Sequence, residues 1–156
     1  MTTPSLVGLE VPDFRAPATG GADFQLSAQR GKPLVIYFYP KDNTPGCTTE
    51  AGQFRDSFAD FARAGCPIFG VSRDTLKSHE GFKAKLALPF ELIADGDEAV
   101  CRQFGVIKRK NMYGKEVMGI ERSTFLIDAA GVLRREWRGV KADGHAAEVL
   151  RTVTEL

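Results

Sequence analysis

An α/β fold is what this sequence predicts, and three observations carry it. Leu34-Val35-Ile36-Tyr37-Phe38-Tyr39 is an unbroken apolar run rather than an alternating one, the pattern of a central strand covered on both faces. Beyond it, Ala51, Phe54, Phe58, Phe61 and Ala62 recur at spacings of three and four, the stripe of an amphipathic helix. Pro67-Ile68-Phe69-Gly70-Val71-Ser72 then supplies a second buried strand, completing a strand, helix, strand unit that favours parallel pairing.

The start of the chain is punctuated by Pro12, Pro17 and Gly20-Gly21, and up to the Arg30-Gly31-Lys32-Pro33 turn it reads as hairpin and loop, with Phe24-Gln25-Leu26 a short strand. Pro40 ends the first buried strand. After the loop Lys41 to Gly46, one helix is predicted from about Cys47 to Ala64, closed by Gly65. Asp74 or Thr75 can cap a helix through Leu86, followed by a short strand around Phe90 to Ile93 and a helix from about Asp97 to Phe104. Arg122 to Asp128, a turn at Ala129-Ala130-Gly131, and Val132 to Trp137 read as a β-hairpin before a C-terminal helix from about Asp143. No repeat or linker divides the chain, so a single domain over residues 1–156 is expected.

Composition narrows the function. Twenty-one basic residues against twenty acidic ones leave a formal charge of +1, and no Lys/Arg block reaches the density of a nucleic-acid or acidic-membrane surface. Lys108-Arg109-Lys110 reads as a solvated loop. The N-terminus Met1-Thr2-Thr3-Pro4-Ser5-Leu6 has no basic stretch followed by an apolar run, and no ~18-residue apolar stretch follows, so a soluble cytoplasmic protein is expected. Three cysteines at positions 47, 66 and 101 are too few and too irregular for a secreted disulfide framework. No CxxC is present, which removes the usual dithiol and most structural zinc patterns. His79 and His145 stand alone without metal-ligand spacing and read as surface or helix residues. No metal or cofactor is expected.

The chemistry centres on Cys47. A free cysteine with a pKa near ~8.5 supplies only a few per cent of the reactive thiolate at neutral pH. Cys47 sits where the loop becomes the helix, and there unpaired backbone N–H groups and the positive end of the helix dipole favour an anion. The position also follows a buried strand, at the sheet end where open α/β folds bind ligands. The residues alone leave a second reading open, in which Cys47 is a small, inert helix-start residue.

Pro40-Lys41-Asp42-Asn43-Thr44-Pro45-Gly46-Cys47 resembles the peroxiredoxin active-site motif P-x-x-x-[TS]-x-x-C. The surroundings resemble that family too: Pro12-Asp13-Phe14, Tyr37-Phe38-Tyr39-Pro40, Thr48-Thr49-Glu50, and Arg122-Ser123-Thr124-Phe125-Leu126-Ile127-Asp128. The similarity spans nearly the whole chain and is to the Q-type, or bacterioferritin comigratory protein, branch. It implies a thioredoxin-like fold with N-terminal additions, a central mixed sheet flanked by helices, and a monomer. It further implies that Cys47 is the peroxidatic nucleophile, that the Thr44 hydroxyl bonds the peroxide, and that Pro40 shields the pocket. Arg122 would hold the thiolate and polarise the peroxide oxygen, with Glu50 orienting the arginine.

The sequence also departs from its relatives. The two usual positions of a resolving cysteine, five and thirty-six residues after the nucleophile, hold Gly52 and Lys83. Cys66 follows the whole predicted helix, about 25 Å of it at ~1.5 Å per residue, whereas a disulfide needs Cα atoms within ~7 Å. Cys101 fits as a small apolar packing residue. The expectation is a one-cysteine cycle in which thioredoxin, glutaredoxin or glutathione reduces the sulfenic acid, with resolution through Cys101 the alternative. A redox-sensing module, oxidised once as a signal, is the competing function. The segment Lys110 to Gly114 either borders the pocket or lies in solvent.

Overall fold

The apolar run at Leu34–Phe38 becomes a strand whose five residues are all buried, and the chain is arranged around it. The computed structural model describes residues 5–156; residues 1–4, part of the stretch examined for a leader, lie outside them. In chain order come β1 (Arg15–Ala16), β2 (Phe24–Gln25), β3 (Leu34–Phe38), α1 (Pro45–Asp56), α2 (Phe58–Arg63), β4 (Ile68–Ser72) and α3 (Leu76–Leu86). Then follow β5 (Glu91–Ala94), α4 (Ala99–Gln103), β6 (Ile107–Met112), β7 (Lys115–Ile120), β8 (Ser123–Ile127), β9 (Leu133–Arg138) and α5 (His145–Thr154). Among the described residues no helix is long and apolar enough to cross a membrane.

The central sheet runs β5-β4-β3-β8-β9. It is mixed: β3 pairs in parallel with β4, and β4 with β5, while β8 lies antiparallel to both β3 and β9. Alternation along β3 feeds two cores. Leu34, Ile36 and Phe38 pack with Val100, Cys101, Phe104 and the N-terminal Val11, Ala16 and Phe24. Val35, Tyr37 and Tyr39 pack with Cys47, Ala51, Phe54, Phe61 and Phe82, and with Ala146, Val149 and Val153 of α5.

The single helix expected over Cys47–Ala64 starts two residues earlier, with Pro45 at its first turn, and is broken at Ser57 (φ −95, ψ 0). The break leaves the phase of the apolar stripe intact, which is why spacing does not reveal it: Phe54 and Phe61 still meet, ring centroids 5.9 Å apart. Thr75, not Asp74, caps α3 by accepting the Ser78 N–H at 3.1 Å. Lys108-Arg109-Lys110 is no loop but lies in β6, which pairs with β7 in a separate two-stranded ribbon. A cross-strand ion pair between Arg109 and Glu116 (2.7 Å) explains how so polar a segment holds strand geometry.

Gly70 of β4 is a point of close approach. A Cβ there would lie 2.9 Å from Leu92 Cδ2 and from Cζ and the hydroxyl of Tyr37. Gly70→Ala is therefore expected to lower stability by about 1–3 kcal/mol through overpacking, read as a lower urea midpoint with an unchanged far-UV circular dichroism spectrum.

Candidate active site

Cys47 owes its surroundings to the way α1 begins. Pro45 at the first helical position has no N–H to satisfy, and Thr44 precedes it in extended conformation (φ −83, ψ 153). The first intrahelical bond runs from the Thr48 N–H to the Thr44 carbonyl at 2.9 Å. The N–H groups of Gly46 and Cys47 lie ahead of it, where helix donors have no helical acceptor and the dipole is positive. The Thr44 hydroxyl does not cap them; it donates to the Lys41 carbonyl at 2.8 Å.

Facing this turn is Arg122, immediately before β8. Its guanidinium forks: Nη1 donates to Glu50 Oε1 at 2.7 Å and Nη2 to Cys47 Sγ at 3.5 Å. Glu50 lies three residues after Cys47 on α1, so both side chains share one helix face. All three groups are withdrawn from solvent, with Cys47 only 1% exposed. Gly46 leaves room for the fork, since a Cβ there would lie 3.0 Å from Arg122 Nη2. Burial pushes the Glu50 carboxyl up to about 7 against the pull of Arg122. Its Oε2, like the Tyr37 hydroxyl, is buried with no hydrogen-bond partner among the described residues.

Of the residues singled out from sequence, Cys47, Glu50 and Arg122 are in direct contact. Thr44 and the half-buried Pro40 belong to the loop that leads into Cys47. Cys66 lies beyond the far end of α2, buried, with its thiol pushed up to about 12 by desolvation. Cys101 belongs to the other core, on the opposite face of the sheet, and burial and then Asp95 raise its thiol pKa. Lys110 to Gly114 is the end of β6 and its turn.

Other residues of this region escaped the sequence reading. His79 and His145 are helical but neither is at the surface: His79 is fully buried and His145 3% exposed. His79 lies three residues before the buried Phe82, the spacing that marks the inner face of α3, and that signal was available. Asp42 and Tyr39 meet His79 in a buried network described below. Lys110 bends over Gly119 so that its ammonium reaches the Ile120 carbonyl; burial and the neighbouring Arg122 and Arg73 lower its pKa. Gln53 of α1 binds the segment before α5, donating to Asp143 Oδ1 at 2.6 Å and accepting from the Gly144 N–H at 2.8 Å.

Residues 7–136 match the model of the AhpC/TSA family. The chain belongs to that family. Within it, this peroxiredoxin is 54% identical to peroxiredoxin Bcp of Xanthomonas campestris over 91% of both chains. It is 49% identical to peroxiredoxin Bcp of Bacillus subtilis over 96% of both. A solved structure of PrxQ from Xylella fastidiosa superposes with a TM-score of 0.93 at 40% identity, covering 99% of this chain and 98% of that one. The thioredoxin-like peroxiredoxin fold and the Q-type branch expected from sequence are therefore both met.

Glu50 links the site to stability. Its folded carboxyl titrates at about 7, above the ordinary 4.5. Between those values the native chain holds a proton that the unfolded chain has released, so the stabilisation present below 4.5 is lost as pH rises through about 7. The slope from this one group is on the order of 1 kcal/mol per pH unit. Urea unfolding at pH 5 and pH 8 is expected to show a fall in stability that Glu50→Gln makes smaller.

Proposed function

We propose that this peroxiredoxin reduces hydrogen peroxide and organic hydroperoxides through a Cys47 sulfenic acid, in a one-cysteine cycle completed by an external thiol. The observation that carries the reading is the Arg122 fork, which ties Cys47 Sγ and Glu50 to one guanidinium at the first turn of α1. The Cys47 thiolate attacks one oxygen of the peroxide; an S–O bond forms, the O–O bond breaks, and the departing oxyanion takes a proton to leave as water or alcohol. Arg122 and the N–H groups of the first turn supply donors for charge developing on that oxygen. The Thr44 hydroxyl spends its one hydrogen on the Lys41 carbonyl, so it meets the peroxide as an acceptor. Pro40 contributes an apolar wall, and Glu50 holds the guanidinium in register.

The relatives support the substrate class. The bacterioferritin comigratory protein of Xanthomonas campestris, 52% identical with a TM-score of 0.87 over 91% of this chain and 90% of that one, is described for its alkyl peroxide reduction activity. Geometry supports the one-cysteine cycle. Cys101 is screened from Cys47 by the sheet, and Cys66 sits past the opposite end of the α1–α2 pair. A small or protein thiol, in the manner of glutathione, glutaredoxin or thioredoxin, then condenses with the sulfenic acid, releasing water. A second thiol displaces Cys47 from the mixed disulfide. The resemblance to the Q-type branch supports a working monomer. Three unpaired cysteines are in keeping with a reducing, cytoplasmic setting.

Intact mass after one equivalent of peroxide is expected to show one added oxygen that is lost in Cys47→Ser and retained in Cys101→Ser. Repeated turnover with a thiol donor separates an enzyme from a once-oxidised sensor. Arg122→Met is expected to slow oxidation of Cys47 by about 10²-fold or more, measured by stopped flow. Loss of two hydrogens that depends on Cys101 would overturn the one-cysteine cycle, and peroxide consumption undiminished in Cys47→Ser would overturn the nucleophile.

A further inference from the structure

Asp42 lies at the centre of the loop between β3 and α1 and is 4% exposed, and both of its carboxylate oxygens are engaged. Its Oδ1 accepts from the Tyr39 hydroxyl at 2.7 Å; its Oδ2 accepts from the Ser78 hydroxyl at 2.8 Å and lies 2.7 Å from His79 Nδ1. The Asp42 N–H donates to Asp74 Oδ2 at 2.9 Å, and the Ser72 hydroxyl donates to the same oxygen at 2.5 Å. The loop is thereby fastened by its backbone to the turn after β4 and by its side chain to the first turn of α3. Asp42, Asp74 and His79 do bring ligand atoms within 4.8 Å of one another, but those atoms already face partners within the cluster, as befits a latch rather than a cation site.

The histidine decides the charge of this latch. His79 Nε2 lies 3.0 Å from the Ile93 carbonyl, which can only accept; Nδ1 lies 2.7 Å from a carboxylate oxygen that already takes a hydroxyl hydrogen, and 3.4 Å from the Tyr39 hydroxyl, whose hydrogen goes to Asp42 Oδ1 at 2.7 Å. A neutral imidazole has one N–H and serves one acceptor; two acceptors are served by a ring that carries both protons. The donors from His79, Tyr39 and Ser78 outweigh the burial that opposes ionisation, and hold the Asp42 carboxyl below its ordinary value.

We propose that His79 is a positioning residue: a buried imidazolium that grips Asp42, and through it the loop carrying Pro40 and Thr44, in the conformation in which Cys47 meets peroxide. The proposal rests on Cys47 being the nucleophile. The loop contains Asn43 in a left-handed conformation (φ 65), a region that asparagine enters more readily than other non-glycine residues. Its near end, at Thr44, is the residue from which α1 begins. A loop released from α3 leaves the sulfur on its helix but uncouples it from Thr44 and the Pro40 wall. Peroxide chemistry, which needs the whole constellation, suffers; simple alkylation, which needs only the sulfur, does not.

Removing one charge would leave its partner buried and alone, so the decisive variant removes both: Asp42→Asn with His79→Gln. With a wild-type circular dichroism spectrum, it is expected to react with hydrogen peroxide at least tenfold more slowly, while iodoacetamide alkylates Cys47 as fast as in wild type or faster. A folded double variant that keeps the wild-type peroxide rate would overturn the proposal. So would a parallel fall in both rates, which would mean a general loss of thiol reactivity. In the wild-type chain, nitrogen-15 spectra at pH 7 are expected to show both His79 ring nitrogens protonated, and a ring with one bare nitrogen would overturn it whether or not the variant folds. Cys47→Ser measured beside them separates the readings: if it is inert and the double variant fully active, only the latch fails.

Discussion

One half-buried guanidinium sets the terms for the rest of the structure. Arg122 must reach a thiol and a carboxylate at once, so β8 has to lie beside β3, and α1 has to start at the sheet end where β3 stops. Gly46 spares the fork a crowding contact, because a Cβ there would lie 3.0 Å from Arg122 Nη2. Glu50 has to be three residues after Cys47 so that one helix face offers both partners. The arrangement also carries a cost: a carboxylate taken out of water is stable there only with its partner in place. Half of its hydrogen-bonding capacity still goes unused, since Oε2 meets no donor among the described residues. A pair so placed defines orientation more than it adds to stability.

The sheet divides the molecule as firmly as it joins it. Alternate residues of β3 belong to different cores, one built around α1, α3 and α5, the other around α4 and the N-terminal segment. Cys47 and Cys101 fall on opposite sides of that partition although neither is exposed. Cys66 shares the core of Cys47 but joins it past the far end of the helical pair, beside the start of β4. Placement of this kind leaves three buried thiols in one small chain with sharply different surroundings.

How much of this was legible in the sequence depended on which physical signal each residue leaves. The apolar run at β3, the stripe of α1 and the hairpin of β8 and β9 were visible because burial writes itself into spacing. The interruption at Ser57 was not, because Phe54 and Phe61 keep the same phase across it. The β6–β7 ribbon was missed because its residues are polar and its strands pair only with each other, so neither alternation nor an apolar run announces them. At the site, Cys47 drew attention through its place at a helix start. Arg122 and Glu50 came only through resemblance, since charged residues at a strand start and in a first helical turn are common on surfaces. His79 and Asp42 differed: the three-residue spacing of His79 from Phe82 marks the inner face of α3, whereas a loop aspartate gives no hint that the fold carries it into the interior, 2.7 Å from that ring.

The sheet sets Cys101 apart from Cys47, and the length of the α1–α2 pair sets Cys66 apart, which bears on how the oxidised molecule behaves over time. A sulfur with a partner thiol within reach can hide its oxidised state in an internal bond, at a rate that no outside concentration alters. In the one-cysteine cycle proposed above, the lifetime of an oxidised Cys47 is set by encounters with molecules in solution, in the forward direction by peroxide and in the return direction by thiol. The fraction oxidised at any moment then follows the ratio of those two concentrations, and the chain works as a comparator of oxidant against reductant.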